Sequence, residues 1–192
     1  MKISSSRNIE ELRGVLRTPK STGPETAYWV FSGIGHKRWE NMTITTPGLY
    51  DSEYPKTYGH YHSVSTEIEI YKVISGQGIF QLQKKHVENG RLIENMVDEV
   101  YLLGAEVGDE IAIKPEYGHS WSNVGNTPLI TFDNWRFGHS PNDYLPIKKQ
   151  QGMAYYLIEE NKELKAVPNE KYVNLPKPKW ITVKEFMQTF DL

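Results

Sequence analysis

Two histidines one residue apart open the stretch that the rest of the chain is expected to position. His60 and His62 lie in the segment YGHYHS, and Glu69 follows in the β-branched run EIEIYKVI. Side chains at positions i and i+2 of a strand point to the same face, so both imidazoles can be presented together, and Glu69 shares a face with Tyr71. Two histidines and a carboxylate form a ligand set for a divalent first-row metal that leaves positions open for substrate.

A second stretch supplies a third histidine. Residues 108–123 read GDEIAIKPEYGHSWSN, which predicts a strand, a turn at Pro115 and Gly118, and His119 at the start of the next strand. Together the two stretches resemble the two motifs of the cupin superfamily. The first reads G-H-x-H, six residues, Glu, six residues and Gly, and the second reads G, six residues, P-x-x-G-H, three residues and N. The resemblance implies a metal held by His60, His62, Glu69 and His119.

Two carboxylates compete for the acidic ligand position. Glu67 lies four residues after His62, a spacing that many cupins use, and Glu69 lies six residues after it. Counting forward favours Glu69, because six residues separate it from Gly76, whereas Ile74 occupies the matching position after Glu67. We therefore predict that Glu69 is the ligand and that Glu67 is solvated at the entrance of the strand.

The composition limits the function classes. The 192 residues suit one domain, with an N-terminal arm over about 1–27, a barrel over about 28–160 and an extension over about 161–192. A net charge of −2 predicts no nucleic-acid surface, and zero cysteines exclude disulfides and thiolate ligands. The sequence shows no stretch typical of a signal peptide and none of the roughly 20 apolar residues of a membrane span. We expect a cytoplasmic protein with no membrane contact.

The remaining pattern predicts an all-β fold. About six to eight short strands separated by Gly and Pro turns indicate a sandwich or barrel. Bringing His119 to His60 and His62 requires a rolled sheet, as in a jelly-roll barrel (double-stranded β-helix) with short peripheral helices. Expected strands cover 27–31, 40–46, two runs within 67–83, then 100–103, 110–113, 119–123, 129–135 and 155–161. We also expect a bulge near 79–82, a loop over 86–98, and helices over 8–12 and 183–190, begun by Asn8 and Thr182.

Beyond the two motifs, about residues 25–175 resemble the cupin-type phosphoglucose isomerases best known from archaea. That family's T-x-G-H-x-H segment and later E-x-Y are matched by residues 57–62 and 69–71, and its threonine before Pro-Gly is matched by Thr43. Its tyrosine past a G-H is matched by Tyr144. The resemblance implies interconversion of glucose 6-phosphate and fructose 6-phosphate by a homodimer. One divalent metal is implied for each subunit, Fe²⁺ first and Zn²⁺, Ni²⁺ or Mn²⁺ as other ions.

The same resemblance implies roles for individual residues. The catalytic candidates are Glu69 and Tyr71. The residues implied to contact substrate are Thr43, Thr57, Gly59, Tyr71, Trp135 and Tyr144. Two positions depart from the family pattern, because Tyr58 replaces a common lysine and Trp135 replaces a phosphate-binding tyrosine. Losing a cation and a hydroxyl predicts weaker phosphate binding or a different phosphosugar.

Several chemistries stay open at this point. Glu69 can act as the base that moves a proton from C2 to C1 through a cis-enediol, while a hydride shift is the competing route. A three-histidine, one-glutamate site also serves other phosphosugar isomerases or epimerases and dioxygen enzymes. A sugar-binding cupin without turnover is a further alternative. Exposed sheet edges and the arm over 1–27 are expected to support the homodimer.

Overall fold

The computed structural model describes residues 2–62 and 66–189, and two antiparallel sheets dominate them. The first sheet orders six strands as β1 (Lys2–Asn8), β2 (Thr26–Ser32), β3 (Asn41–Thr45), β9 (Leu129–Asp133), β4 (Glu69–Ser75) and β7 (Glu110–Ile113). The second orders β12 (Lys179–Thr182), β6 (Arg91–Ala105), β5 (Gly78–Glu88) and β8 (Tyr117–Asn123), with β12 parallel to β6. A separate hairpin pairs β10 (Tyr155–Glu160) with β11 (Glu163–Pro168).

The helices are short and lie outside the sheets. They are α1 (Ile9–Leu12), a 3₁₀ turn (Arg13–Val15), α2 (Pro141–Lys149) and α3 (Val183–Thr189). Asn8 caps α1 as expected, and its Oδ1 accepts a 3.0 Å bond from the Glu11 backbone N–H. Thr182 Oγ1 accepts a 3.1 Å bond from the Glu185 N–H at the start of α3, while the expected last residue, Phe190, lies outside the described residues. None of these helices has the length and apolar content needed to cross a membrane.

The main core lies between the two sheets. Tyr71 of β4 meets Phe80 of β5 and Trp121 of β8, with ring centroids 4.8 Å apart for Tyr71 and Trp121 and 5.3 Å apart for Phe80 and Trp121. Alternate residues of each strand face this space, as the pleat requires. Removing the Phe80 ring would cost about 3–5 kcal/mol of stability. The two sheets packed around this core confirm the predicted all-β jelly-roll fold.

The expected loop over 86–98 is wrong. β5 continues to Glu88 and β6 begins at Arg91, so the turn consists of Asn89 and Gly90, with φ of 50° and 75°. Positive φ at both positions is the geometry of a tight hairpin turn. Residues near this turn are half-exposed or exposed, and both faces of the two strands carry charged residues. The sequence there lacks the apolar alternation that predicts a strand.

Two local expectations also differ from the structure. Pairing is regular from Gly78 to Gln83, and the irregularities come after Gln83 rather than near 79–82. Alternation is weak at 79–82 because Ile79 and Phe80 are buried on opposite faces, in two different core clusters. The strand expected over 129–135 ends at Asp133, because Asp133 Oδ1 accepts a 3.0 Å bond from the Trp135 N–H and turns the chain.

Both sheets include strands outside residues 28–160. The N-terminal arm forms β1, which pairs with β2 of the same chain. The arm that was expected to reach a second subunit is therefore used within its own. Near the other end, β12 pairs with β6 and α3 packs Val183 and Phe186 into the main core.

Candidate metal centre and substrate cavity

A short extended segment beside β8 positions the first histidine. The Thr57 N–H donates to Trp121 O at 3.0 Å, and the His60 N–H donates to His119 O at 3.1 Å. The His119 N–H returns a bond to His60 O at 2.9 Å. This register sets the two imidazoles side by side, with ring centroids 4.3 Å apart.

Two glycines explain why each motif places Gly before His. Gly59 has φ of +82°, a left-handed conformation that glycine adopts without steric cost. At Gly118, an added Cβ would lie 2.5 Å from the Tyr61 ring, which packs directly on the backbone. One glycine therefore allows a turn and the other allows a close approach.

Strand β4 supplies the carboxylate. Glu69 and Tyr71 share the inner face, and the Tyr71 hydroxyl donates to Glu69 Oε1 at 2.7 Å. Glu69 is 1% exposed, whereas Glu67 is exposed before the strand begins. The structure thus brings Glu69 to the interior and leaves Glu67 in solvent.

Four buried side chains converge in the interior of the protein. His60, His62, Glu69 and His119 each offer one ligand atom, and these atoms all lie within 4.8 Å of one another. Glu69 Oε2 lies 2.7 Å from His62 Nε2 and 3.0 Å from His119 Nε2. All four residues are buried, so the cluster could hold a metal ion away from bulk solvent.

Burial sets the protonation of the cluster. It lowers the pKa of His60 well below its usual range, and it lowers the pKa of His119 despite the opposing charge of Glu69. Burial raises the pKa of Glu69, but hydrogen bonds from His119 and His62 outweigh it and leave the net pKa well below normal. Two imidazoles are thus held neutral and the carboxylate ionised, which are the forms that ligate metals.

The donor set fits a divalent first-row metal. His60 Nε2 is buried and has no hydrogen-bond partner among the described residues. Leaving such a buried polar atom unpaired costs about 1–3 kcal/mol, and coordination would satisfy it. Three imidazoles and one carboxylate are borderline ligands suited to iron, zinc, nickel or manganese, so the residues fit the expected ion.

A cavity of about 510 Å³ opens beside the cluster. Its wall includes His60 of the cluster and every residue that the sequence predicted to contact substrate: Thr43, Thr57, Gly59, Tyr71, Trp135 and Tyr144. A volume of this order accommodates a small sugar-sized ligand.

The polar groups of these residues differ in what they offer. Thr57 Oγ1 accepts from the Trp121 N–H at 3.2 Å and lies 3.3 Å from Ser120 Oγ, so it is already engaged. Trp135 donates its indole N–H to Gly138 O at 2.8 Å and packs its ring 3.9 Å from that of His62. Trp135 therefore offers the cavity an aromatic face.

Helix α2 positions Tyr144, and the sequence did not predict this helix. The Ser140 N–H donates to Asp143 Oδ2 at 2.7 Å in the first turn, and Pro141 opens the helix. Tyr144 then reaches the cavity, with its ring 5.5 Å from that of His60 and 5.7 Å from that of Tyr58.

Three other cavity residues escaped the sequence reasoning. Asp133 is 5% exposed, and burial, followed by the charge of Glu69, raises its pKa to about 7. His139 has its ring 4.2 Å from that of His60, and burial lowers its pKa to about 4. Arg7 reaches the cavity from β1. Asp133 aligns with Tyr71 across β9 and β4, a pairing that becomes known only with the order of strands in the sheet.

A profile of the family described as glucose-6-phosphate isomerase matches residues 36–174, more than half of the chain. The chain belongs to this family. The match contains all four cluster residues and every cavity residue that the sequence predicted.

Relatives in the family are distant in sequence. The glucose-6-phosphate isomerase of Pyrococcus abyssi is 29% identical over 130 residues, which are 68% of this chain and 62% of the relative. The enzyme of the same name from Thermococcus onnurineus gives the same identity and coverage. The matched part of the chain thus spans 62% of the length of these relatives.

Solved structures give weaker likenesses. The capsular polysaccharide assembling protein CapF of Staphylococcus aureus matches with a TM-score of 0.39 and 20% identity over 60% of this chain and 30% of that one. The oxalate decarboxylase of Lactobacillus farciminis matches with a TM-score of 0.39 and 16% identity over 59% and 30%. The family assignment rests on the profile match alone.

Proposed function

We propose that the protein is a metal-dependent aldose–ketose isomerase that interconverts glucose 6-phosphate and fructose 6-phosphate. The observation that carries the proposal is the position of Glu69. This buried carboxylate lies within ligand distance of three imidazoles beside a cavity, in a chain of the isomerase family. Such a carboxylate can act on a substrate held next to it.

Glu69 would move the proton. Isomerisation needs one base that takes the proton from C2 and returns it at C1 through a cis-enediol. The pKa of Glu69 lies below its usual range, so the carboxylate is ionised at pH 7, as a base must be. Tyr71 donates to Oε1 at 2.7 Å and orients the carboxylate. Burial raises the pKa of Tyr71 well above its usual value, so the hydroxyl keeps its own proton.

The residues that would hold the ion are His60, His62, Glu69 and His119. When bound, a divalent ion supplies a Lewis acid that polarises substrate oxygens. Fe²⁺ is proposed, and Zn²⁺, Ni²⁺ and Mn²⁺ are the other ions that suit the same ligands. The orphaned His60 Nε2 supports a bound ion of this kind.

Neutral polar groups would surround the substrate. Thr43, Thr57, Gly59 and Tyr144 are proposed to contact phosphate, and Tyr71 and Trp135 the sugar. Their common position on the wall of the cavity supports these roles. Holding the phosphate away from the reacting carbons would position C1 and C2 for proton transfer.

A single-domain, cytoplasmic homodimer completes the proposal. β1 and β7 stand at the two ends of the first sheet and β12 at one end of the second, whereas the outer edge of β8 is bonded to residues 55–60 of the same chain. A sheet edge without a partner exposes unpaired backbone groups, and a second subunit is one way to cover it.

A coupled assay tests the activity. Fructose 6-phosphate is supplied to metal-stripped and metal-restored protein, and glucose 6-phosphate is detected through its dehydrogenase. Turnover should disappear on stripping and return with Fe²⁺. Restored protein that binds the phosphosugar without turnover would instead indicate a binding module. Oxygen uptake on metal restoration would indicate a dioxygen enzyme.

A further inference from the structure

The N-terminal strand contributes a cation to the cavity. Arg7 pairs directly with Tyr28 across β1 and β2, and residues that pair in this way share a sheet face. Tyr28 in turn pairs with Thr45 of β3, so Arg7 extends a row of inward-facing side chains. It is the only half-buried residue among the otherwise exposed positions of β1. Arg7 also lies outside residues 36–174, the range matched by the family profile.

The guanidinium is only partly engaged. Its Nη1 donates to Glu11 Oε1 at 2.9 Å, and this is its one ion pair within residues 2–62 and 66–189. The guanidinium also forms a hydrogen bond with the Tyr28 hydroxyl. An arginine carries five N–H donors in a planar fork that matches carboxylate and phosphate oxygens, so donors remain for a ligand. Burial raises the pKa of Tyr28 to about 12, and the nearby charge of Arg7 opposes this shift.

The other permanent cation on the described cavity wall is less suited to this task. Arg136 has a side chain 62% exposed, against 34% for Arg7, and its Nε lies 3.8 Å from Glu40. It donates to the Lys37 carbonyl on the outer surface. Arg7 is therefore the cation that shares the interior with the tyrosines.

Tyr58 and Tyr144 line the cavity together with Arg7 and His60. The ring of Tyr144 is 5.5 Å from that of His60, and the ring of Tyr58 is 5.7 Å from that of Tyr144. The positive charge of Arg7 acts on both phenols, opposing the rise in pKa that burial gives them. His60 of the cluster and Arg7 thus line one cavity together with both phenols, so a ligand in this cavity can contact the metal site and the cation through different groups.

We propose that Arg7 binds the phosphate group of the substrate and that β1 is part of the active site. This inference rests on the proposed function and names its substrate class: a sugar monophosphate with the phosphate at the end opposite the carbonyl. The fork of Arg7 would make charge-assisted bonds to two phosphate oxygens. Glu11 holds the guanidinium from the side of helix α1.

The test compares Arg7→Gln with Arg13→Gln. Arg13 is a matched control because its side chain is also 34% exposed, pairs with a glutamate at 2.7 Å, and lies outside the cavity. Arg7→Gln should raise KM for fructose 6-phosphate about 10- to 100-fold with little change in kcat, as expected for one lost charged contact. Arg13→Gln should leave KM unchanged. An unchanged KM in Arg7→Gln, or a larger rise in Arg136→Gln, would overturn the proposal.

A second measurement needs no turnover. Calorimetric titration with inorganic phosphate should give weaker binding to Arg7→Gln than to wild type. If the protein proves not to be an isomerase, this result still decides whether Arg7 binds phosphate.

A second variant, expected to strengthen phosphate binding, keeps the proposal testable if Arg7→Gln does not fold. Glu11→Gln keeps a side chain suited to the capping box and removes a negative charge beside the guanidinium. It should tighten phosphate binding a few-fold. Unchanged or weaker phosphate binding to a folded Glu11→Gln protein would contradict the role of Arg7.

Discussion

His60 and His119 exchange two backbone hydrogen bonds, from His60 N–H to His119 O at 3.1 Å and from His119 N–H to His60 O at 2.9 Å. This reciprocal pair joins two motifs that lie far apart in the sequence. The backbone register places the two imidazoles beside each other, with ring centroids 4.3 Å apart. The pairing of these two backbone segments therefore helps to place His60 and His119 in one cluster.

The first prediction concerns metal binding. His60→Ala and His119→Ala should each hold sub-stoichiometric metal, because each removes one of the four converging ligands. In wild type, affinity should fall below about pH 6, because a ligating histidine must be neutral and burial lowers the pKa of both imidazoles. Plasma emission analysis after dialysis at each pH measures the content.

An exposed histidine provides the control for metal binding. His36 lies on a surface loop, and His36→Ala should keep the wild-type content. Full metal occupancy in both His60→Ala and His119→Ala would show that the cluster is not the site.

The second prediction separates catalysis from metal holding. Glu69→Gln keeps the size of the side chain and one acceptor oxygen but removes the charge that accepts a proton. Turnover at saturating metal should fall by roughly 10²–10⁴-fold, as for a lost general base, while three imidazoles retain part of the metal. Steady-state assays with fructose 6-phosphate, together with metal analysis of the same samples, measure both effects.

Glu67→Gln is the matched variant, because that carboxylate has the same strand parity and is exposed. It should change turnover little. If Glu67→Gln were the impaired enzyme, the ligand register would be wrong by one pleat. If neither variant lost activity, the base would lie elsewhere or the hydride route would operate.

The sequence predicted the parts of the fold that carry strong local signals. Strands with β-branched alternation, such as β3 and β4, were found close to their observed bounds. The capped helix after Asn8 was also found, since capping is encoded within four residues. The clustering of Glu69 with three histidines was implied by the resemblance to the two cupin motifs, and the structure brings these four residues together.

Other elements could not be predicted because their stability comes from partners distant in sequence. β1 reads KISSSRN and has little apolar content, so only its pairing with β2 makes it a strand. Helix α2 contains Pro146, which argues against a helix in a sequence reading, yet this proline and Ile147 are buried. The roles of Arg7 and Asp133 needed the order of strands in the sheet.

The third prediction concerns assembly. Light scattering at micromolar concentration should give the mass of a homodimer, because sheet edges remain without a partner within the described chain. Deleting residues 2–8 removes one of these edges, so an intact dimer would assign the interface to another edge. A monomeric mass for the full chain would refute this prediction, and loss of the dimer on deletion would show that β1 forms the interface.

The last prediction uses the buried carboxylate of Asp133. Burial and the charge of Glu69 raise its pKa from 3.8 to about 7, so the folded protein keeps this proton to a higher pH than the unfolded chain. The folded state therefore binds more protons between these values, and the contribution of Asp133 to stability falls as pH rises through that window. Each pH unit of such titration is worth about 1.36 kcal/mol, which gives about 2–3 kcal/mol between pH 5 and pH 8.

Asp133→Asn should remove this slope. Asparagine keeps an acceptor oxygen for the Asn41 amide and the Trp135 N–H, which Asp133 Oδ1 accepts at 2.7 Å and 3.0 Å. Urea unfolding of metal-free protein at pH 5 and pH 8 should show the variant gaining stability over wild type as pH rises. Asp109→Asn is the control, because Asp109 also accepts a backbone N–H but is only partly buried. A parallel pH dependence in Asp133→Asn and wild type would mean that Asp133 is ionised in the folded protein throughout this range.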